Sequence, residues 1–209
     1  MAKAPRAGTV KTRLHPLLGP EGCAALQAEL IRHAMELTGT LGARTYLAYH
    51  PGEGEDGTGG VAPPGVRLLL QRGTDLGQRL TSAVTDAFAD GAGPVLVIGT
   101  DAPTLTVGEL TAAFAALEHT DLVLGPALDG GYYLIGMREP RTRLFGLDAA
   151  LWGTDRVLDA TRAIAAADGS GVELLGPLRD LDTPEDAAAL LADPRMPHRI
   201  AALLQPAEA

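Results

Sequence analysis

The run GPVLVIGTD, residues 93–101, constrains this chain more than any other stretch. It is continuously apolar and then ends abruptly in polar residues. That pattern predicts a parallel strand buried on both faces rather than a half-solvated one. Such a strand needs helices on both sides, and the flanking sequence offers them. DLGQRLTSAVTDAFAD precedes it with helical spacing and Asp75 as N-cap. TVGELTAAFAALE follows it, with Thr106 and Glu109 spaced for a capping box.

The same alternation runs through the whole chain. GPEGCAALQAELIRHAMELTGTLG predicts a helix with Leu26, Leu30, Ala34 and Leu37 on one stripe. RTYLAYH, VRLLLQ, DLVLGPA, GYYLIGM and VELLGP read as strands. TDRVLDATRAIAAAD and TPEDAAALLAD read as helices, the second with proline in its first turn. MPHRIAALLQ predicts a last short helix, and the stretch from Gly52 to Gly60 reads as a loop. Strands alternating with helices predict an α/β fold: a mostly parallel central sheet flanked by helices, in one domain spanning 1–209. Only 4% of residues are aromatic while 46% are hydrophobic, so alanine, leucine and valine must fill the core.

The formal net charge is -9, which argues against a nucleic-acid partner, because that role needs a basic face to displace counterions. A small anionic ligand held by a few local cations remains compatible with it. The single cysteine, Cys23, allows no internal disulfide and reads as a small buried side chain. The five histidines show no metal-ligand spacing. No apolar run is long enough to span a bilayer, so no membrane role is expected, and a cytoplasmic location is.

In sheets of this kind, ligands bind beyond the carboxyl ends of the strands, so residues just after each strand are the candidates. The chain has two lysines, Lys3 and Lys11, both in MAKAPRAGTVKTRLHP. Gly8 permits a tight turn there, and Lys11, Thr12 and Arg13 follow it ahead of a helix. That combination suits a phosphate cradle, although Val10 separates it from a Walker A spacing; a solvated basic loop is the alternative. Asp101 directly follows the central strand, where a carboxylate can hold Mg²⁺ or Mn²⁺ on a diphosphate, or simply cap a turn. Asp129, Gly130 and Gly131 suit a hairpin turn, or a backbone closing on a sugar, with Tyr132 or Tyr133 beside it. In RDLDTPED, Asp180 and Asp182 point the same way if extended, and both can reach one cation; Asp182 can instead cap the next helix. Arg72 and Asp75 are candidates for the nucleotide side, with Arg79. Trp152 is a candidate stacking surface for an acceptor or base. Each of these last has a structural alternative.

The ordered motifs AKAP…G-x-V-K-T-R-L, Q-x-G-x-D-L-G-x-R, IGTDAP, GP-x-x-DGGYYLIG and RDLDTPED run from Ala2 to about Leu191. Together they resemble a bacterial family of GT-A-fold transferases labelled arsenosugar-biosynthesis-type glycosyltransferases. The chain resembles more distantly the phosphoenolpyruvate guanylyltransferases and the molybdenum-cofactor nucleotidyltransferases. The resemblance implies a Rossmann-like nucleotide-diphospho-sugar transferase fold and a divalent metal, Mg²⁺ or Mn²⁺. It implies Lys11 and Arg13 on phosphates, Asp101 as principal metal ligand with Asp180 and Asp182, and Gly130 and Gly131 bordering donor or acceptor. The activity implied is glycosyl transfer from a nucleotide sugar to a small-molecule acceptor. Nucleotidyl transfer releasing pyrophosphate suits the basic loop equally, and a nucleotide-binding domain without turnover is the third alternative. The family places a short apolar strand directly before AKAP, where this sequence has Met1. The first strand is therefore expected to be missing or truncated.

Overall fold

A computed structural model describes residues 1–50 and 64–205, so the loop expected from Gly52 to Gly60 lies outside the described residues. The architecture is three-layered α/β, with strands β1 (Ala2–Lys3), β2 (Tyr46–His50), β3 (Arg67–Leu70), β4 (Val95–Ile98), β5 (Leu122–Pro126), β6 (Tyr132–Met137) and β7 (Val172–Leu174). Helices α1 (His15–Gly39), α2 (Leu76–Ala89), α3 (Val107–Ala116), α4 (Val157–Ala167), α5 (Pro184–Leu191) and α6 (His198–Leu204) surround them.

Strand β5 shows how the layers form. Leu122 and Leu124 point to one face, where they meet Leu80 and Val84 of α2 and Ala165 of α4. Val123 points to the other, where it meets Leu110, Ala113 and Leu117 of the α3 region. All three strand residues are fully buried. Burying a side chain of that size contributes roughly 1.5–3 kcal/mol. A third cluster packs α1 against α5 and α6 through Leu26, Leu30, Leu190 and Ile200. Cys23 lies in that cluster as a free, buried thiol.

The strands hydrogen-bond as two sets, β1-β2-β3 and β4-β6-β5-β7. The first set and the β5–β7 pair are parallel, whereas β6 runs antiparallel to both β4 and β5. This corrects the expectation for β4: its paired neighbour is antiparallel, and its residues are half-buried. Its other edge faces β2 across a slot. At the top of the slot, the Met1 ammonium donates to Ile98 O at 2.9 Å, and Ala2 and Lys3 pair with Tyr49 and His50. Below them lies a cavity of about 420 Å³ between β2 and β4, lined by Met35, Leu47, Val84, Val97, Leu110 and Phe114. The two-residue β1 thus fills only the carboxyl end of a strand position in the middle of the molecule.

Two helix starts follow the sequence closely: Asp75 accepts from Gln78 N, and Thr106 and Glu109 form a capping box. The third differs by one residue: Thr183, not Asp182, caps α5, with Asp186 in the reciprocal role. Because Thr183 takes the cap, Asp182 is left free for another partner.

Candidate active site

The carboxyl ends of β1 and β4 and the amino end of β6 open into a cleft of about 480 Å³. Its floor and walls combine four distant segments: the first loop with Lys11, Thr12 and Arg13; Asp101 after β4; Asp129, Gly131 and Tyr132 at the β5–β6 turn; and Asp180 and Asp182 before α5. Trp152 closes one side. The volume is that of an ordinary small-ligand site.

Lys11 is the centre of the acidic corner. Its backbone sits in the left-handed region, with φ 48°, the one non-glycine residue to do so among the described residues. That conformation costs a β-carbon residue roughly 1–2 kcal/mol, and it directs the side chain inward. The side chain is 95% buried, and its Nζ lies 2.6 Å from Asp101 Oδ1 and 2.9 Å from Asp182 Oδ1. It also donates to Leu181 O at 2.7 Å. Leu181 N in turn donates to Asp101 O at 2.8 Å, which stitches the segment before α5 to the end of β4. Burial lowers the Lys11 pKa, but the two carboxylates outweigh it and hold it above the ordinary value.

Asp180 stands next to this group without a partner for Oδ1, which is buried. Burial, then the nearby Asp101, Asp129 and Asp182 carboxylates, raise its pKa to about 7. Among the described residues, no three His, Cys, Asp or Glu side chains already converge tightly enough to hold an ion. The Lys11 ammonium lies between two of the three aspartates instead.

The remaining candidates divide. Thr12, Arg13, Asp129, Gly131, Tyr132 and Trp152 line the cleft. Tyr132 and Tyr133 point to opposite faces, as their positions in the strand require. Tyr133 packs in the α3-side core and donates to Gly176 O, while Tyr132 borders the cleft with its hydroxyl unpartnered. Asp129 Oδ1 accepts from Gly131 N, so the D-G-G segment is a true hairpin turn as well as part of the wall. Gly130 serves the fold: its φ is 90°, and a Cβ there would overlap the backbone of Asp155. Three expected residues lie elsewhere. Arg72 is paired with Asp86 on the outside of α2, Asp75 is occupied as the α2 cap, and Gly8 sits in an exposed turn away from the cleft lining. The polar side chains of Arg72 and Asp75 and the positive φ of Gly8 serve local structure, which sequence alone does not separate from ligand contact.

Sequence reading missed the apolar wall formed by Leu76, Leu80, Ile135 and Val157. Its signal was present in DLGQRL, where Gly77 separates the cap from the helix face. A Cβ at Gly77 would overlap Phe145 O and press on Trp152 Nε1, so the glycine lets the indole pack against α2. Lys3, which shares its segment with Lys11, also lines the cleft.

A Rossmann-like sheet with a polar cleft at its strand ends, acidic on the floor and basic at the rim, defines a nucleotide-dependent transferase. The comparisons agree. A crystal structure from Desulfovibrio desulfuricans G20, described as a nucleotide-diphospho-sugar transferase, superposes with a TM-score of 0.85 at 30% identity, covering 97% of this chain and 94% of that one. The fold is therefore that of the GT-A-like nucleotide-diphospho-sugar transferases. The chain belongs to the bacterial family DUF2064, described as "uncharacterized protein conserved in bacteria", whose pattern matches residues 30–154. It is similar to the phosphoenolpyruvate guanylyltransferase of Chloroflexus aggregans, at 31% identity over 67% of this chain and 72% of that one. It is also similar to the enzyme of the same name from Sphaerobacter thermophilus, at 26% identity over 88% of each chain. No helix among the described residues is long and apolar enough to cross a membrane.

Proposed function

We propose that this protein is a nucleotidyltransferase that moves a nucleoside monophosphate from a triphosphate onto a small anionic acceptor and releases pyrophosphate. The observation that carries this reading is the pairing of cations with carboxylates in one cleft. Arg13 and Lys3 line it as exposed side chains with no ion pair among the described residues, in the same cleft as Asp101, Asp180 and Asp182. Free cations at the rim suit the several negative charges of a triphosphate.

The donor set suits a hard divalent cation, since it consists of three carboxylates, one with a buried oxygen that lacks a partner. Asp101, Asp180 and Asp182 would hold Mg²⁺ or Mn²⁺, which would neutralise phosphate charge and assist departure of the leaving group. The chain's own residues do the rest. Arg13 and Lys3 orient the phosphates, and their fixed charges suit a leaving pyrophosphate. Tyr132, Trp152, Leu76 and Leu80 form a water-poor wall against which the base or acceptor can pack. The names of the two curated relatives support guanosine triphosphate and phosphoenolpyruvate as the first pair to try.

The test is product analysis. Each nucleoside triphosphate is incubated with Mg²⁺ or Mn²⁺ and phosphoenolpyruvate or a related small acid, and the released phosphates are resolved. Pyrophosphate is expected, and Asp101→Asn is expected to slow its release by about a hundredfold. A second reading, glycosyl transfer, is favoured by the apolar and aromatic wall, which also suits a sugar face. Release of nucleoside diphosphate from a nucleotide sugar, with no pyrophosphate from any triphosphate, would replace the first reading with the second.

A further inference from the structure

The acidic corner already contains a cation. The Lys11 ammonium is within 2.6 Å of Asp101 Oδ1 and 2.9 Å of Asp182 Oδ1, and its side chain is 5% exposed. Both carboxylates are open to the cleft, with side-chain exposures of 44% and 39%. Asp180 Oδ1 remains buried beside them with no partner. An incoming divalent ion would therefore find one carboxylate oxygen waiting and two already engaged.

We propose that Lys11 is a tethered cation that holds Asp101 and Asp182 together in the free protein and surrenders them to a divalent cation. This rests on the metal site in the proposed function, and it adds a role for the lysine. Three features make the exchange workable. Lys11 has a third acceptor, Leu181 O at 2.7 Å, which keeps the ammonium partnered when the carboxylates leave. The lysine lines the same cleft as Arg13, so the released charge can turn to a phosphate oxygen arriving with the metal. Its backbone is pinned by the left-handed φ and by Leu14 N and Cys23 Sγ, both donating to Lys11 O, so the exchange needs only side-chain movement. Lysine thereby offsets the mutual repulsion of Asp101 and Asp182 before the metal arrives. It also sets a threshold that a weakly held ion does not pass without nucleotide.

The experiment is a Mn²⁺ titration of the nucleotide-free protein, read as loss of the free-ion electron paramagnetic resonance signal. Lys11→Met keeps the apolar stem and removes the competing charge. It is expected to bind Mn²⁺ at least about fivefold more tightly than the wild type, because a contact cation no longer has to be displaced. The same variant is expected to lose stability in chelator and regain it with Mn²⁺, with a larger rise in Tm than the wild type shows. Lys11→Arg, which retains the charge, is expected to bind like the wild type. Equal or weaker Mn²⁺ binding by a folded Lys11→Met overturns the proposal while leaving the metal site intact. Failure of both wild type and Lys11→Met to bind Mn²⁺ overturns the proposal and the metal reading together.

Discussion

Asp180 carries the clearest consequence for a single residue. Its carboxyl stays protonated in the folded protein up to about pH 7, whereas in the unfolded chain it ionises near its ordinary value of 3.8. The folded state therefore binds more protons between those values, and stability falls as pH rises from about 4 through 7. Asp180→Asn is expected to match the wild type near pH 4 and to exceed it at pH 8, by a few kcal/mol at most. Chemical denaturation at the two pH values measures this, and parallel curves would remove Asp180 from the buried acidic corner. The position of Asp180 was legible in the sequence, because D-x-D in an extended segment puts both carboxylates on one side. The ion pair that organises the corner was not. Lys11 and Asp182 are 171 residues apart, and no local pattern announces a contact of that range.

At the level of elements, the hairpin between β5 and β6 joins fold to site. Its Gly130 has a positive φ and lies against Asp155, and Gly130 O accepts from Leu158 N at 2.9 Å. Gly130→Ala is expected to lower stability by roughly 2–4 kcal/mol, combining left-handed strain with a backbone clash. It should also displace the segment carrying Trp152 and Thr154, so ligand affinity should fall along with Tm. Thermal melts with and without nucleotide check both; an unchanged Tm would show that the turn tolerates a Cβ. The helices were legible because their signals are local: Asp75 and Thr106 each cap within three residues of their partners, and only the α5 cap moved by one residue, from Asp182 to Thr183. The antiparallel setting of β6 was only half legible. The D-G-G turn predicted a hairpin, yet the apolar run before Asp101 looked identical to a parallel strand, because pairing direction leaves no mark on a continuously apolar strand.

Across the whole molecule, the slot between β2 and β4 is the least satisfied feature. The Met1 ammonium closes its upper end, and burial lowers that amine from 8.0 to about 6 despite the Asp101 charge. The unfolded amine takes up its proton first, so stability is full above pH 8 and is lost as pH falls towards 6, on the order of 2 kcal/mol in total. Adding about four alternating β-branched residues ahead of Met1 is expected to abolish this dependence and raise Tm, since the added strand would pair with β2 and β4. A glycine-serine extension of equal length should remove the pH dependence without raising Tm. Equal Tm for the two extensions would mean that the slot does not accept a strand. The cleft has a different consequence, one in time. Its acidic corner joins Lys11 to Asp182, which is made 171 residues later. At ordinary translation rates, Lys11 exists for roughly 10–30 s before Asp182 does. A nascent chain thus carries the Lys11 loop unlatched until Asp182 has been made, and the cleft is assembled only after that.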